Sequence, residues 1–170
     1  MKAALLPDRG VVKVAGDDAR NFLNGLLTTD IGAVTPREAR FAALLTPQGK
    51  IVIDCIVVEA PTQEGGGFFL DCPRALATSY VTKLNFYKLR AKVIAEDLSE
   101  TLGVLAAWDG QAAKSYGLCY RDPRLPALGL RIMLPPQRAE AAAAEIGAAL
   151  VDAAQYEAHR IALEIGRAHV

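Results

Sequence analysis

The chain has 170 residues, 52% of them hydrophobic and 22% charged, which suits a globular protein with a sizeable core and argues against disorder. Lys plus Arg and Asp plus Glu balance at 19 each, so no overall field draws the chain to DNA or to an anionic membrane, and neither direct DNA binding nor membrane association is expected. No apolar run reaches the length of a membrane span or a secretory signal, and Cys55, Cys72 and Cys119 form no CxxC or Cys/His pattern.

A disulfide framework and a metal site built by this chain alone are therefore not expected, and the reading is a reduced, soluble, cytoplasmic protein. Residues 9–16, RGVVKVAG, alternate as a short strand. Asp17 is placed to cap a helix whose apolar face carries Phe22, Leu23, Leu26 and Leu27. Residues 39–59 read as two strands around a Pro-Gln-Gly turn, a β-hairpin. The glycine-rich 61–67 is an exposed loop without the Lys or helix start of a phosphate cradle. Residues 67–72, GFFLDC, form another strand, and Pro73 suits the first turn of a helix with Leu76, Tyr80, Val81 and Leu84 inward.

Residues 88–97 return to alternation, with Leu89, Ala91, Val93 and Ala95 on one face. A second unit begins near Thr101, with strands at 102–109 and 129–135, an Ala-rich helix over 136–150 and a last helical stretch over 156–165. Hairpins dominate without a βαβ rhythm. The fold class expected is α+β, antiparallel sheets with flanking helices, divided into 1–100, 101–164 and a tail at 165–170.

One residue breaks the pattern. Asp54 stands in the apolar strand IVIDCIVV, where both faces read as buried. An unpaired carboxylate there costs several kcal/mol, so Asp54 is either in a structural ion pair, in water or facing a ligand. The cysteines lie in apolar surroundings and read as buried thiols, and His159 and His169 have no acidic or thiol partner at ligand spacing. No Ser/His/Asp arrangement presents itself.

The segments FLNGLLTTDI, LLTPQGKIVIDCIVV, LNFYKLRAKVIAEDLS, YRDPRLPALGLRIMLP and YEAHRIAL resemble, in order, successive segments of the YgfZ family, relatives of the aminomethyltransferase (T-protein) of the glycine cleavage system. The resemblance implies the N-terminal part of the T-protein folate-binding fold without its C-terminal barrel. It also implies tetrahydrofolate as cofactor, and iron–sulfur enzymes or their assembly machinery as partners. It places Asp54 against the folate, with Cys55 where the transferase has a second Asp. It offers Asp30 as the family's helix-ending Asp, for which a turn or cap is the alternative. Tyr87 and Arg90, with Lys88, are offered as holders of a carboxylate tail, for which a solvated basic edge is the alternative. The loop with Arg121 and Arg124 belongs to the resemblance without an assigned role.

The family's Lys-Gly-Cys-Tyr-x-Gly-Gln-Glu segment lies downstream of residues 156–163, so no catalytic residue is expected in this fragment. The transferase's pterin-gripping Glu aligns with Ala162. IGRAHV at 165–170 matches what a common sequencing adapter encodes and is expected to be non-native. The function implied is folate binding in support of iron–sulfur cluster assembly or repair and of tRNA modification. A tetrahydrofolate-dependent aminomethyltransferase and a ligand-free interaction module are the alternatives.

Overall fold

The computed structural model describes residues 1–163. Their strands form two sheets. The first is built from β2 (Arg9–Ala15), β3 (Arg40–Leu45), β4 (Ile51–Glu59), β5 (Phe68–Pro73) and β6 (Ile94–Asp97), in the order β3-β4-β5-β2-β6. The second contains β1 (Lys2–Leu5), β7 (Gly103–Trp108), β8 (Leu118–Arg121), β9 (Leu130–Leu134) and β10 (Ala149–Leu150), ordered β10-β1-β7-β9-β8. All pairings are antiparallel except that of β1 with β10.

Alternation along the strands explains the layering. Val12, Val14, Cys55, Val57, Leu70 and Cys72 point away from the second sheet, onto α1 (Ala19–Leu26) and α2 (Ala77–Tyr87) through Leu23, Tyr80 and Leu84. The opposite faces of the same strands send Val11, Ile56, Val58 and Phe69 between the sheets. There they meet Ala4, Val104, Ala106, Trp108 and Tyr120. Strand β7 is buried on both faces: Leu105 and Ala107 pack the far side, under α3 (Ala139–Ile146) through Ala142, Ala143 and Ile146. The last helix, α4 (Ala153–Ala162), delivers Tyr156 into the intersheet core, its ring edge-on to Trp108.

The α+β class with antiparallel sheets is what forms. The β3–β4 hairpin closes over residues 46–50, where Thr46 and Lys50 share a backbone hydrogen bond and Gly49 takes φ of 83°. Several local expectations are corrected. Asp18, not Asp17, stands at the cap of α1, and its side chain accepts instead from the Lys92 amide at 2.7 Å. Pro73 ends β5, and a 3-10 turn at Arg74–Leu76 precedes α2. The strand expected from residue 88 starts only at Ile94, because α2 persists to Tyr87 and Leu89 then turns left-handed at φ 47°, with its side chain in water. The Ala-rich helix stops at Ile146, where Gly147 at φ 80° caps it. Strands β1, β8 and β10 were not anticipated. His169 and the tail at 165–170 lie outside the described residues.

The core makes a direct prediction. Leu70 sits on the central strand β5, fully buried beneath the helices. Leu70→Ala is expected to lower unfolding stability by about 2–5 kcal/mol, read from urea denaturation midpoints.

Candidate functional site

The intersheet face of the first sheet carries two carboxylates rather than one. On β4, Asp54 shares its face with Ile56 and Val58; on β5, Asp71 shares it with Phe69, and Ile56 and Asp71 are cross-strand partners. The two have opposite surroundings.

Asp71 is fully buried and fully engaged. Its Oδ1 accepts from Arg9 Nε at 2.7 Å; its Oδ2 accepts from Arg131 Nη1 at 2.6 Å and from the Tyr120 hydroxyl at 2.9 Å. Arg9 Nη2 also donates to the Asp71 carbonyl at 2.8 Å. Arg9 and Asp71 belong to the first sheet, Tyr120 and Arg131 to the second, so this cluster fastens one sheet to the other. Burial opposes ionisation of Asp71, and the Arg131 and Arg9 guanidiniums overcome it, holding the carboxyl at about 2 against an ordinary 3.8.

The cluster continues. Arg131 Nη2 donates to the Tyr156 hydroxyl at 3.3 Å. Arg131 Nε lies 3.3 Å from Oδ2 of buried Asp122, an ion-pair contact without hydrogen-bond geometry. Asp122 in turn takes Arg124 in a two-pronged grip, from Nε at 3.0 Å and Nη2 at 2.7 Å. The result is a ladder of three guanidiniums on two buried carboxylates.

Beside the ladder opens a cavity of about 980 Å³, within the range that takes a small organic ligand. Ile51, Val52, Ile53 and Asp54 of β4 form one wall, with Phe41 and Leu76 next to them; Arg9, Arg124 and Arg131 belong to the lining as well. Tyr156, Glu157 and Arg160 of α4 complete it, the last two joined in an ion pair. Asp54 is half-buried in its apolar wall, and among the described residues no hydrogen bond or ion pair engages its carboxylate.

The other sequence candidates sit elsewhere. Asp30 caps the 3-10 turn Ile31–Ala33, its Oδ1 accepting from the Gly32 amide at 2.8 Å. Tyr87 is exposed at the end of α2, its ring edge-on to Phe86, and Arg90 is exposed in the loop beyond; neither lines the cavity. Ala162 is exposed and also outside the lining. Arg124 does line it, and Arg121 is exposed on β8.

Cys55 and Cys72 are buried beneath the helices. Desolvation pushes the Cys55 thiol up to about 12 despite its contact with the Tyr80 hydroxyl at 3.4 Å, and raises Cys72 as well, so both stay protonated. Among the described residues no group of His, Cys, Asp and Glu is placed to hold a metal ion, and no helix is long and apolar enough to cross a membrane.

Sequence reasoning missed Asp71, Arg9 and Arg131. The signal was present: FFLDC sets an Asp in an apolar strand just as IVIDC does.

No protein-family model matches the chain. It is 32% identical over 172 residues to an iron-sulfur cluster assembly factor IBA57 homolog, mitochondrial, of Mycosarcoma maydis, with 94% of this chain and 42% of the relative aligned. It is 30% identical to the human iron-sulfur cluster assembly factor IBA57, mitochondrial, with 91% of this chain and 48% of the relative aligned. Among solved structures, the glycine cleavage system aminomethyltransferase T of Bartonella henselae superposes on 98% of this chain and 52% of its own, with a TM-score of 0.74 at 16% identity. The fold is that of the aminomethyltransferase. The chain spans under half the length of these two assembly factors. Their names place them in mitochondria, which overturns the cytoplasmic expectation.

The site's acid response follows from Asp71. Its carboxyl is held below its unfolded value, so its contribution is complete above pH 3.8 and is lost as pH falls toward about 2. At about 1.4 kcal/mol per tenfold change in proton affinity, this amounts to about 2 kcal/mol. Asp71→Asn is expected to destabilise the protein by about 3–5 kcal/mol at neutral pH, because Arg131 stays buried with less compensation. The variant is also expected to flatten the stability loss between pH 4 and 2, measured by denaturant unfolding across that range.

Proposed function

We propose that this chain is the folate-binding part of an iron–sulfur cluster assembly or repair factor of the YgfZ and IBA57 kind, taking tetrahydrofolate into the cavity against Asp54. The observation that carries the reading is the half-buried Asp54 carboxylate, set among Ile51, Val52 and Ile53 in the wall of a ligand-sized cavity without a partner among the described residues. An ionised carboxylate in an apolar wall is costly unless a guest supplies donors, and the amide-like and ring N–H groups of a pterin are such donors. The aminomethyltransferase fold and the names of the relatives support the same assignment, including mitochondrial iron–sulfur work in those proteins. Service to tRNA-modifying iron–sulfur enzymes is part of the proposal, as is an interaction with the assembly machinery.

Within this reading the residues bind rather than react. Asp54 orients the guest's donors, Phe41 and Leu76 cover its apolar faces, and the buried thiols Cys55 and Cys72 stay out of the chemistry. Aminomethyl transfer is the second reading, favoured by the fold alone; Ala162, which the sequence resemblance aligns with the transferase's pterin-gripping Glu, is exposed and speaks against it. A ligand-free module is the third, and it calls for an Asp54 already clasped by a basic side chain, as Asp71 is.

Anaerobic calorimetric titration of tetrahydrofolate tests the assignment. Asp54→Asn is expected to weaken binding about tenfold or more, the worth of a charge-assisted hydrogen bond, with the unfolding midpoint unchanged. Equal affinities would remove Asp54 from the site, and no binding to either protein would end the folate reading.

A further inference from the structure

We propose that the arginine side of the cavity, Arg9 together with Arg124, is a preformed subsite for an anionic group of the guest, a carboxylate or a phosphate. The guest's identity as a folate rests on the function proposed above; the subsite itself rests on the ladder.

Each guanidinium is fixed by a carboxylate that has no access to water. Asp71 takes Nε of Arg9 while its carbonyl takes Nη2; Asp122 takes Nε and Nη2 of Arg124. In both forks that leaves Nη1, with its two N–H donors, uncommitted among the described residues. Both side chains line the cavity, with 16% and 19% of their surface exposed. Their hydrogen-bonding edges are oriented before any guest arrives, so little side-chain freedom is lost on binding.

Charge argues the same way. Three guanidiniums (Arg9, Arg124 and fully buried Arg131) share only the two carboxylates of Asp71 and Asp122, while Arg160 is matched by Glu157. The ladder by itself therefore carries one positive charge in excess, while Asp8 and Asp54 lie in the rest of the lining, so an anion is drawn to the arginine side. The cavity is therefore bipolar and fits a guest with donors at one end and an anion at the other. The Nη1–H donors left on each guanidinium suit carboxylate and phosphate oxygens alike.

Four probes separate the parts: tetrahydrofolate, a tetrahydropterin without acid groups, p-aminobenzoylglutamate, and inorganic phosphate. Each is titrated into the wild type, R124Q and R124K, with unfolding midpoints measured alongside. R124Q is expected to weaken tetrahydrofolate and p-aminobenzoylglutamate about tenfold and to leave the pterin unchanged, and R124K to restore only part of the loss. Phosphate binding more tightly than p-aminobenzoylglutamate would identify the natural anion as a phosphate. An unchanged affinity of the acid-bearing probes in R124Q, or an equal loss for the pterin, overturns the subsite. If both pterins fail to bind, the folate reading falls alone, and either remaining anion binding in an Arg124-dependent way keeps the subsite. Binding of none of the four overturns both. Should R124Q fail to fold, the wild type still decides: anion affinity must drop as salt rises, and salt-independent binding refutes the proposal.

Discussion

A carboxylate without access to water, held between two guanidiniums from two different sheets, is the interaction on which this molecule depends. The sheets are otherwise joined by side-chain packing, which is strong but tolerant of sliding. The Arg9–Asp71–Arg131 contact is not tolerant: an ion pair removed from water is favourable only at close range and in the right orientation. It therefore fixes how β5 and β9 face one another. The Tyr120 hydroxyl and the Tyr156 ring, over which Arg131 lies at 6.0 Å, occupy the space around it. Through Tyr156 the same cluster locates α4, and with it one side of the cavity.

The cavity is thus a by-product of how the sheets are pinned. Where the intersheet face has partners from the second sheet, its acidic residue is neutralised by protein, as Asp71 is. Two residues along β4 from Ile56, the cross-strand partner of Asp71, the second sheet no longer covers the face. There Asp54 meets open space instead of an arginine. Two acidic residues on neighbouring strands therefore have different surroundings: one is neutralised inside the fold, and the other lines a cavity without a partner among the described residues.

Much of this was readable from the chain. Alternation located β2, and apolar runs with glycine or proline near their ends located β4, β5, β7 and β9. The oddity of a charge inside a greasy strand pointed to Asp54. What could not be read depends on partners distant in sequence. Asp71 is marked by the same oddity, but its partners Arg9 and Arg131 lie 62 and 60 residues away, and nothing local pairs them. Strand β1 reads as a few small apolar residues and becomes a strand only through β7. The strand expected around Leu89 alternates except at Ile94, yet α2 runs further than the pattern allows, and the left-handed turn puts Leu89 into water. Asp30 was legible as a turn residue, since the Asx geometry is local.

The placement of β1 has a kinetic side. Residues 2–5 precede the first sheet in sequence, but the strands that hold them are made of residues 103–108 and 149–150. Until residues 103–108 have been synthesised, residues 2–5 have no edge to join, although the five strands between residues 9 and 97 already have one another. Closing so long a loop is slow relative to hairpin formation. The second sheet is therefore completed by residues that precede the first, and this apolar segment must be kept from the wrong neighbours in the meantime.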